Sequence, residues 1–369
     1  MKWVRYTLPA AAVISAVSPA YAVKYLSIEE AQKQAFPQAT RFTEVQAGRV
    51  WKAEGAGRVA GFFVFDRVVG KHLYIDYAVA LSPAGAAEAS MTAAVEAAFS
   101  AIADVHRLMS FHEADSDVSR LNREAALRPT AVHAWTFRVL KAATDLNRRS
   151  NGSFDIALAP VLQRLGLLPQ IASDRRTGAL LAADSGAGSR DAIELLDEHA
   201  VRFHRPDVAI DLGGIAKGFA VDRALEVLRR FDIPCGIVNA GGDLATFGTN
   251  PHTIEIRNPR NPGRIICSVE IANQALASSA RRFDPFHAED TTSSAVIDPG
   301  SLRPAHAVDG VSVRAPSCMI ADALTKLVMI CGTDAGELLE HYDAAALVIG
   351  PDGNLQITST WHHAVHLAA

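Results

Sequence analysis

The chain has 369 residues and is 49% hydrophobic, enough for a sizeable core and more than one domain. A formal net charge of −4, a pI near 6.4 and 7% aromatic residues without basic interleaving argue against nucleic-acid capture. Beyond the N-terminus no segment approaches the roughly 20 consecutive apolar residues of a membrane span.

Taken in chain order, Lys2 and Arg5 precede an apolar run over 8–17 and a small-x-small site, Ala20-Tyr21-Ala22. This is the pattern of a cleaved secretory signal, with the mature chain starting near Val23 and working in a bacterial periplasm. No cysteine follows the signal to carry a lipid anchor. Residues 23–85 read as a small module: a helix over 28–36, a strand over 61–66, a turn over 68–71 and a partner strand over 72–81. Ser82-Pro83-Ala84-Gly85 punctuates its end.

From Ala86 onward an alternating pattern of helices and strands predicts one α/β or α+β domain, with mixed sheets and flanking helices, running to residue 369. Helices are expected over 86–109, 131–149, 215–231 and 318–331. Strands are expected at 208–210, 235–240, 253–257, 265–271, 295–297 and 345–349, followed by a turn at 351–354 and a last strand. The Gly/Ala/Ser/Asp-rich stretch 182–188 reads as an exposed loop, and no internal repeat is present.

The most informative stretch is Ala209-Ile-Asp-Leu-Gly-Gly-Ile-Ala-Lys-Gly-Phe-Ala-Val-Asp222. An apolar strand, Asp211, a glycine pair and a helix start carrying Lys217 form a cradle suited to phosphate. Glycines let backbone approach the ligand, and first-turn N–H groups face an anion. An acid beside phosphate calls for a cation, and Mg²⁺ takes few carboxylates plus phosphate oxygens. The alternative is a plain strand-to-helix connection. The spacing matches neither the dinucleotide fingerprint nor a Walker loop.

Weaker pieces accompany it. Asn151-Gly-Ser-Phe-Asp155 can place an aromatic and an acid beside a ligand, or Asp155 can simply cap the next helix. Residues 110–122 read as a polar turn and helix cap, and the glycines of Asn239-Ala-Gly-Gly-Asp243 either let backbone approach a ligand or, the stronger reading, form a plain strand-end turn. On the last helix Asp322 shares a face with Thr325 and Lys326, giving either half a Mg²⁺ shell or an intrahelical ion pair. Cys235, Cys267, Cys318 and Cys331 match no zinc spacing. They form either two disulfides or buried thiols. His362-His363 lacks the helical partner of a metal motif.

In this order the pieces resemble the ApbE-type flavin transferases, from about Ala86 to the C-terminus. The matching stretches are Ser116-Asp-Val-Ser-Arg-Leu-Asn122, Gly152-Ser-Phe-Asp155, 210–222, Asn239-Ala-Gly-Gly-Asp243, Ile297-Asp-Pro299 and 315–324. The resemblance implies an FAD:protein FMN transferase, which cleaves FAD with Mg²⁺, releases AMP and leaves FMN on a Thr or Ser of a target protein. It implies FAD contacts from His112, Ser153, Phe154, Asp155, Asp211, Lys217 and Ile297, and metal contacts from the Gly214 carbonyl, Asp322 and a residue one turn on. The implied target is a membrane-associated redox subunit bearing a Ser-Gly-Ala-Thr type motif.

This chain departs from the family at several of those positions. Lys326 stands where the family has a metal-ligating Thr, and a protonated lysine cannot ligate Mg²⁺. Either the adjacent Thr325 substitutes, or Lys326 replaces the cation's charge. Ala295 stands in place of a His, His112 in place of a flavin-packing Tyr, and Ser278-Ser279-Ala280 in place of Thr-Ser-Gly. The alternatives in function are a non-catalytic periplasmic flavin carrier and an FAD pyrophosphatase. Residues 25–80 faintly resemble FMN-binding domains, without their acceptor motif.

Overall fold

The computed structural model describes residues 1–6, 39–46, 50–55, 58–64, 67–69, 72–74, 77–81, 88–170, 191–231, 233, 235–248, 251–281 and 294–367. The expected helix over 28–36 and the loop over 182–188 lie outside these residues.

One 11-stranded sheet organises the chain. Its strands are β1 (Trp3–Tyr6), β2 (Arg41–Gln46), β3 (Val50–Gly55), β4 (Arg58–Val64), β5 (Tyr77–Leu81), β6 (Gly236–Ala240), β7 (Asp243–Phe247), β8 (Ala275–Ala280), β9 (Gly310–Ala315), β10 (Ala345–Ile349) and β11 (Leu355–Thr358). From β2 to β11 each strand lies beside its predecessor in the chain, and β1 returns to pair with β11. All these pairings are antiparallel, so the fold follows the α+β branch of the expectation. The strands of the N-terminal stretch continue into this sheet through β5, which pairs with β6 in the register Val79↔Val238.

Among the described residues, helices enter the meander at two places. Between β5 and β6 lie α1 (Glu88–Met109), α2 (Asp117–Glu124), α3 (Ala134–Arg149), α4 (Ala159–Arg164) and α5 (Ala216–Arg229). Between β9 and β10 lie α6 (Cys318–Cys331) and α7 (Gly336–His341). Strand β10 shows why its residues read as a continuous apolar run: it is buried on both faces. Ala346 and Val348 join the helical core, while Ala345, Leu347 and Ile349 join a second cluster with Ile256, Cys267 and the buried Trp361. That second layer is the hairpin His252–Asn258 and Asn261–Ile271.

Several expectations change. Val68 and Val69 are not in a turn: Arg67–Val69 pairs with His72–Tyr74, consistent with the β preference of branched side chains. The expected strand over 72–81 is therefore broken, and only β5 pairs with β4, with Phe62 opposite Val79. The second helix starts at Ala134 with His133 as its cap, because Thr130–Ala131 is claimed by a small sheet. Ser116 caps α2 as expected, accepting from the Ser119 N–H at 3.0 Å.

The disulfide alternative is not taken up. All four cysteines are free thiols, and three of them are buried. Burial pushes the Cys267 thiol up to about 12, leaving it unreactive. His362 and His363 lie exposed in a short 3-10 turn, and no metal-sized cluster of His, Cys, Asp or Glu occurs among the described residues. Among the described residues no helix is long and apolar enough to cross a membrane.

Candidate functional site

The site begins with the approach of two helices. An added Cβ on Gly218 of α5 would sit 2.2 Å from the Cys318 carbonyl oxygen of α6, so only glycine permits this contact. Asp222, one turn further along α5, accepts from the Cys318 and Met319 N–H groups at 2.8 and 2.9 Å and caps α6. Burial outweighs those two donors and raises the Asp222 carboxyl to about 6. The start of α5 is thereby locked against the face of α6 that carries Asp322, Thr325 and Lys326.

The phosphate-like turn has a different construction from the one its sequence suggests. Residues 208–210 form no ladder strand. Asn122 on α2 substitutes for a neighbouring strand: its Nδ2 donates to the Ile210 carbonyl at 2.9 Å and its Oδ1 accepts from the Ile210 N–H at 2.8 Å. A carboxamide offers the same donor–acceptor pair as a peptide, so one side chain supplies one rung of pairing. The Asp211 N–H continues to the Ile156 carbonyl at 2.8 Å, and Asp211 Oδ2 accepts from Gly213 at 3.0 Å. Burial raises the Asp211 carboxyl despite the Gly213 N–H and the nearby His112.

Three amides at the start of α5 are already taken up within the chain. Ala216 donates to the Leu212 carbonyl at 2.8 Å, Phe219 to the Ile215 carbonyl at 3.2 Å, and Gly218 to Asp322 Oδ2 at 3.0 Å. The anion held at this helix start is the chain's own Asp322.

Around that carboxylate sits a charge cluster that sequence spacing does not reveal. Lys326 Nζ pairs with Asp322 Oδ1 and donates to Thr325 Oγ1 at 3.1 Å. Thr325 Oγ1 donates to the Asp322 carbonyl and lies 2.8 Å from Ser279 Oγ. Lys217 pairs with Asp243, which also accepts from the Ser278 N–H at 3.3 Å. Asp322 and Asp243 are both fully buried. For Asp322, burial opposes the charge, yet Lys326, Lys217 and the Gly218 N–H together hold its carboxyl below the ordinary range. For Asp243, burial and the neighbouring Asp322 win, and its carboxyl is raised.

The cluster opens on a cavity of about 1430 Å³, larger than the usual small-ligand pocket. His112, Ser153, Phe154, Asp155, Asp211, Gly214, Lys217, Ile297 and Lys326 all line it, so the structure gathers every expected flavin contact at one place. Asp322 and Thr325 lie behind Lys326, at 0% exposure. Phe154 is positioned by its own backbone: its N–H donates to Ser150 Oγ and its carbonyl accepts from Asn147 Nδ2 at 2.7 Å. Asp155 Oδ1 accepts from the Ala157 N–H at 2.8 Å within its own turn, while α4 has no side-chain cap.

Two further walls of this cavity carried a weaker signal or none in the sequence, the Asn239–Asp243 turn and a hairpin. Gly241 and Gly242, at φ +61° and +102°, turn the β6–β7 hairpin past the cavity with open space where side chains would stand. The hairpin carrying Ile254, Ile256 and Arg257 also lines the cavity. Its apolar alternation was legible as strand, but nothing in it points to a ligand.

The antiparallel sheet, the glycine-mediated crossing of α5 and α6 and the lysine-lined cavity define a nucleotide-sized binding site on an α+β scaffold. The ApbE family model matches residues 73–348, and the chain belongs to that family. The FAD:protein FMN transferase of Vibrio cholerae is 29% identical over 244 residues, covering 63% of this chain and 72% of that protein. The FAD:protein FMN transferase of Haemophilus influenzae is 29% identical over 259 residues, covering 67% and 75%. Among solved structures, the ApbE protein of Thermotoga maritima superposes with a TM-score of 0.65 at 24% identity, covering 81% of this chain and 97% of that one. The flavin transferase ApbE of Vibrio cholerae gives a TM-score of 0.61 at 24% identity, covering 77% and 94%. These superpositions carry the fold.

Proposed function

We propose that the protein is an FAD:protein FMN transferase acting on a Ser or Thr hydroxyl of a target protein. The observation that carries this is the pair of ammonium groups, Lys217 and Lys326, at the wall of a dinucleotide-sized cavity in an ApbE chain. FAD binds with its pyrophosphate at these lysines and its isoalloxazine toward Phe154, Ile297 and His112. The acceptor oxygen bonds to the FMN phosphorus as the bond from that phosphorus to the bridging oxygen breaks. AMP leaves with the bridging oxygen, and the hydroxyl proton passes to solvent. Lys217 and Lys326 offset the charge that gathers on the leaving phosphate.

Magnesium, which the resemblance implies, does not fit the donor set as folded. Both Asp322 oxygens are engaged, by Gly218 N–H and Lys326 Nζ, and the Thr325 hydroxyl is tied to Asp322, Lys326 and Ser279. The phosphate chemistry therefore rests on the chain's own cations.

The signal-like N-terminus supports a periplasmic activity, and the resemblance supports a membrane-associated redox subunit carrying a Ser-Gly-Ala-Thr type motif as its target. In the uncleaved chain Trp3–Tyr6 pairs with β11, and cleavage near Val23 leaves β11 at the sheet edge. Ala295 at the cavity wall favours one second reading, a flavin carrier that does not transfer, because a methyl group supplies no proton chemistry.

The deciding experiment incubates purified protein with FAD and an acceptor domain bearing the motif, and weighs the acceptor. A gain of one FMN with AMP in solution supports transfer. Intact bound FAD with an unmodified acceptor establishes the carrier instead, and AMP with free FMN establishes the pyrophosphatase.

A further inference from the structure

We infer that the Lys326 ammonium is this chain's resident counter-ion for a bound dinucleotide's pyrophosphate, so that FAD is held here without a divalent cation. The inference rests on the flavin reading and deepens it. Two buried carboxylates, Asp243 and Asp322, face two ammonium groups, Lys217 and Lys326, and the cluster is formally neutral. Within that cluster each carboxylate already has its ammonium partner; Asp211, whose Oδ2 accepts from the Gly213 N–H, stands outside it on the cavity wall. Bringing a dication beside Lys326 would set like charges close together in a poorly screened place.

The space is taken as well as the charge. The Lys326 stem lies across the glycine turn: a Cβ on Gly214 would be 3.7 Å from both its Cγ and Cε. Its head reaches Asp322 and Thr325, so the lysine spans the ground between Gly214 and Asp322. A protonated lysine has no lone pair for a metal, but it has three N–H donors. Two of these go to Asp322 and Thr325, and one remains for a phosphoryl oxygen on the cavity side. Ser279 steadies Thr325, and Gly218 holds the far Asp322 oxygen, so the ammonium is held in place before any ligand arrives.

The test is FAD titration of the purified protein in EDTA and in excess Mg²⁺, followed by flavin fluorescence and calorimetry. Affinity in the two buffers should agree within about twofold, and Mg²⁺ alone should give no binding heat. Lys326→Thr should lose about tenfold or more in EDTA and recover with Mg²⁺, because it empties the cation position and adds a hydroxyl ligand. Should that variant fail to fold, Lys326→Met should weaken FAD equally in both buffers. Wild-type affinity that falls about tenfold in EDTA overturns this inference and leaves the flavin reading standing. No FAD binding in either buffer overturns the flavin reading, and this inference with it.

Discussion

The Gly218 N–H donates to Asp322 Oδ2 at 3.0 Å, joining helix positions 104 residues apart. Around this bond the two helices approach so closely that no side chain fits at position 218. Gly218→Ala drives a methyl into the Cys318 carbonyl oxygen, a backbone atom that cannot swing aside. The expected cost is about 1–3 kcal/mol or more, with weakened FAD binding, read from melting curves and flavin titration. Unchanged melting would refute this account of the crossing.

Asp322 and Lys326 form a buried pair, and removing one partner strands the other. Asp322→Ala is expected to destabilise by about 3–5 kcal/mol. The double variant Asp322→Leu with Lys326→Met should regain most of that stability while losing FAD affinity. Urea unfolding of the wild type, the double variant and each of its two single variants separates the two effects, and additive losses would show that the residues do not act as a pair.

Asn122 holds residue 210 in place of a sheet partner. Asn122→Leu leaves the Ile210 N–H and carbonyl unpaired, at about 1–3 kcal/mol for each group left buried. The Asp211–Gly214 turn should loosen, weakening FAD binding by more than an alanine at the exposed Glu113 does. Hydrogen exchange at Ile210 measures the loss directly.

Asp222 titrates from an ordinary value of 3.8 to about 6 in the folded protein, chiefly through burial. The folded protein holds this proton more tightly than the unfolded chain. The stability it contributes is therefore complete below pH 3.8 and is lost as pH rises through about 6. Relative to Asp222→Asn, the wild type should lose stability on the order of 2 kcal/mol between pH 4 and 7. Paired denaturation curves across that range test this, and a constant difference would rule it out.

Much of the molecule was legible in its residues because periodic and short-range physics governs it. The apolar runs of β10 and α6, the Ser116 cap and the glycine-rich stretch 210–222 all reflect local backbone preferences. Every residue expected at the flavin lines one cavity. Position 208–210 read as a strand because its apolar pattern is that of one, yet its partner is a side chain 88 residues away.

Tertiary structure alone decided the state of the charges. Residue spacing offered Asp322 and Lys326 as an intrahelical ion pair, the stronger reading, or as half a metal shell, and the structure holds the ion pair. The choice depended on Lys217, Asp243 and the Gly218 N–H, which reach Asp322 from other elements and complete a neutral buried cluster. Helix periodicity places side chains on a face. Which charges meet across that face, and how much water remains to screen them, is set only when distant segments pack together.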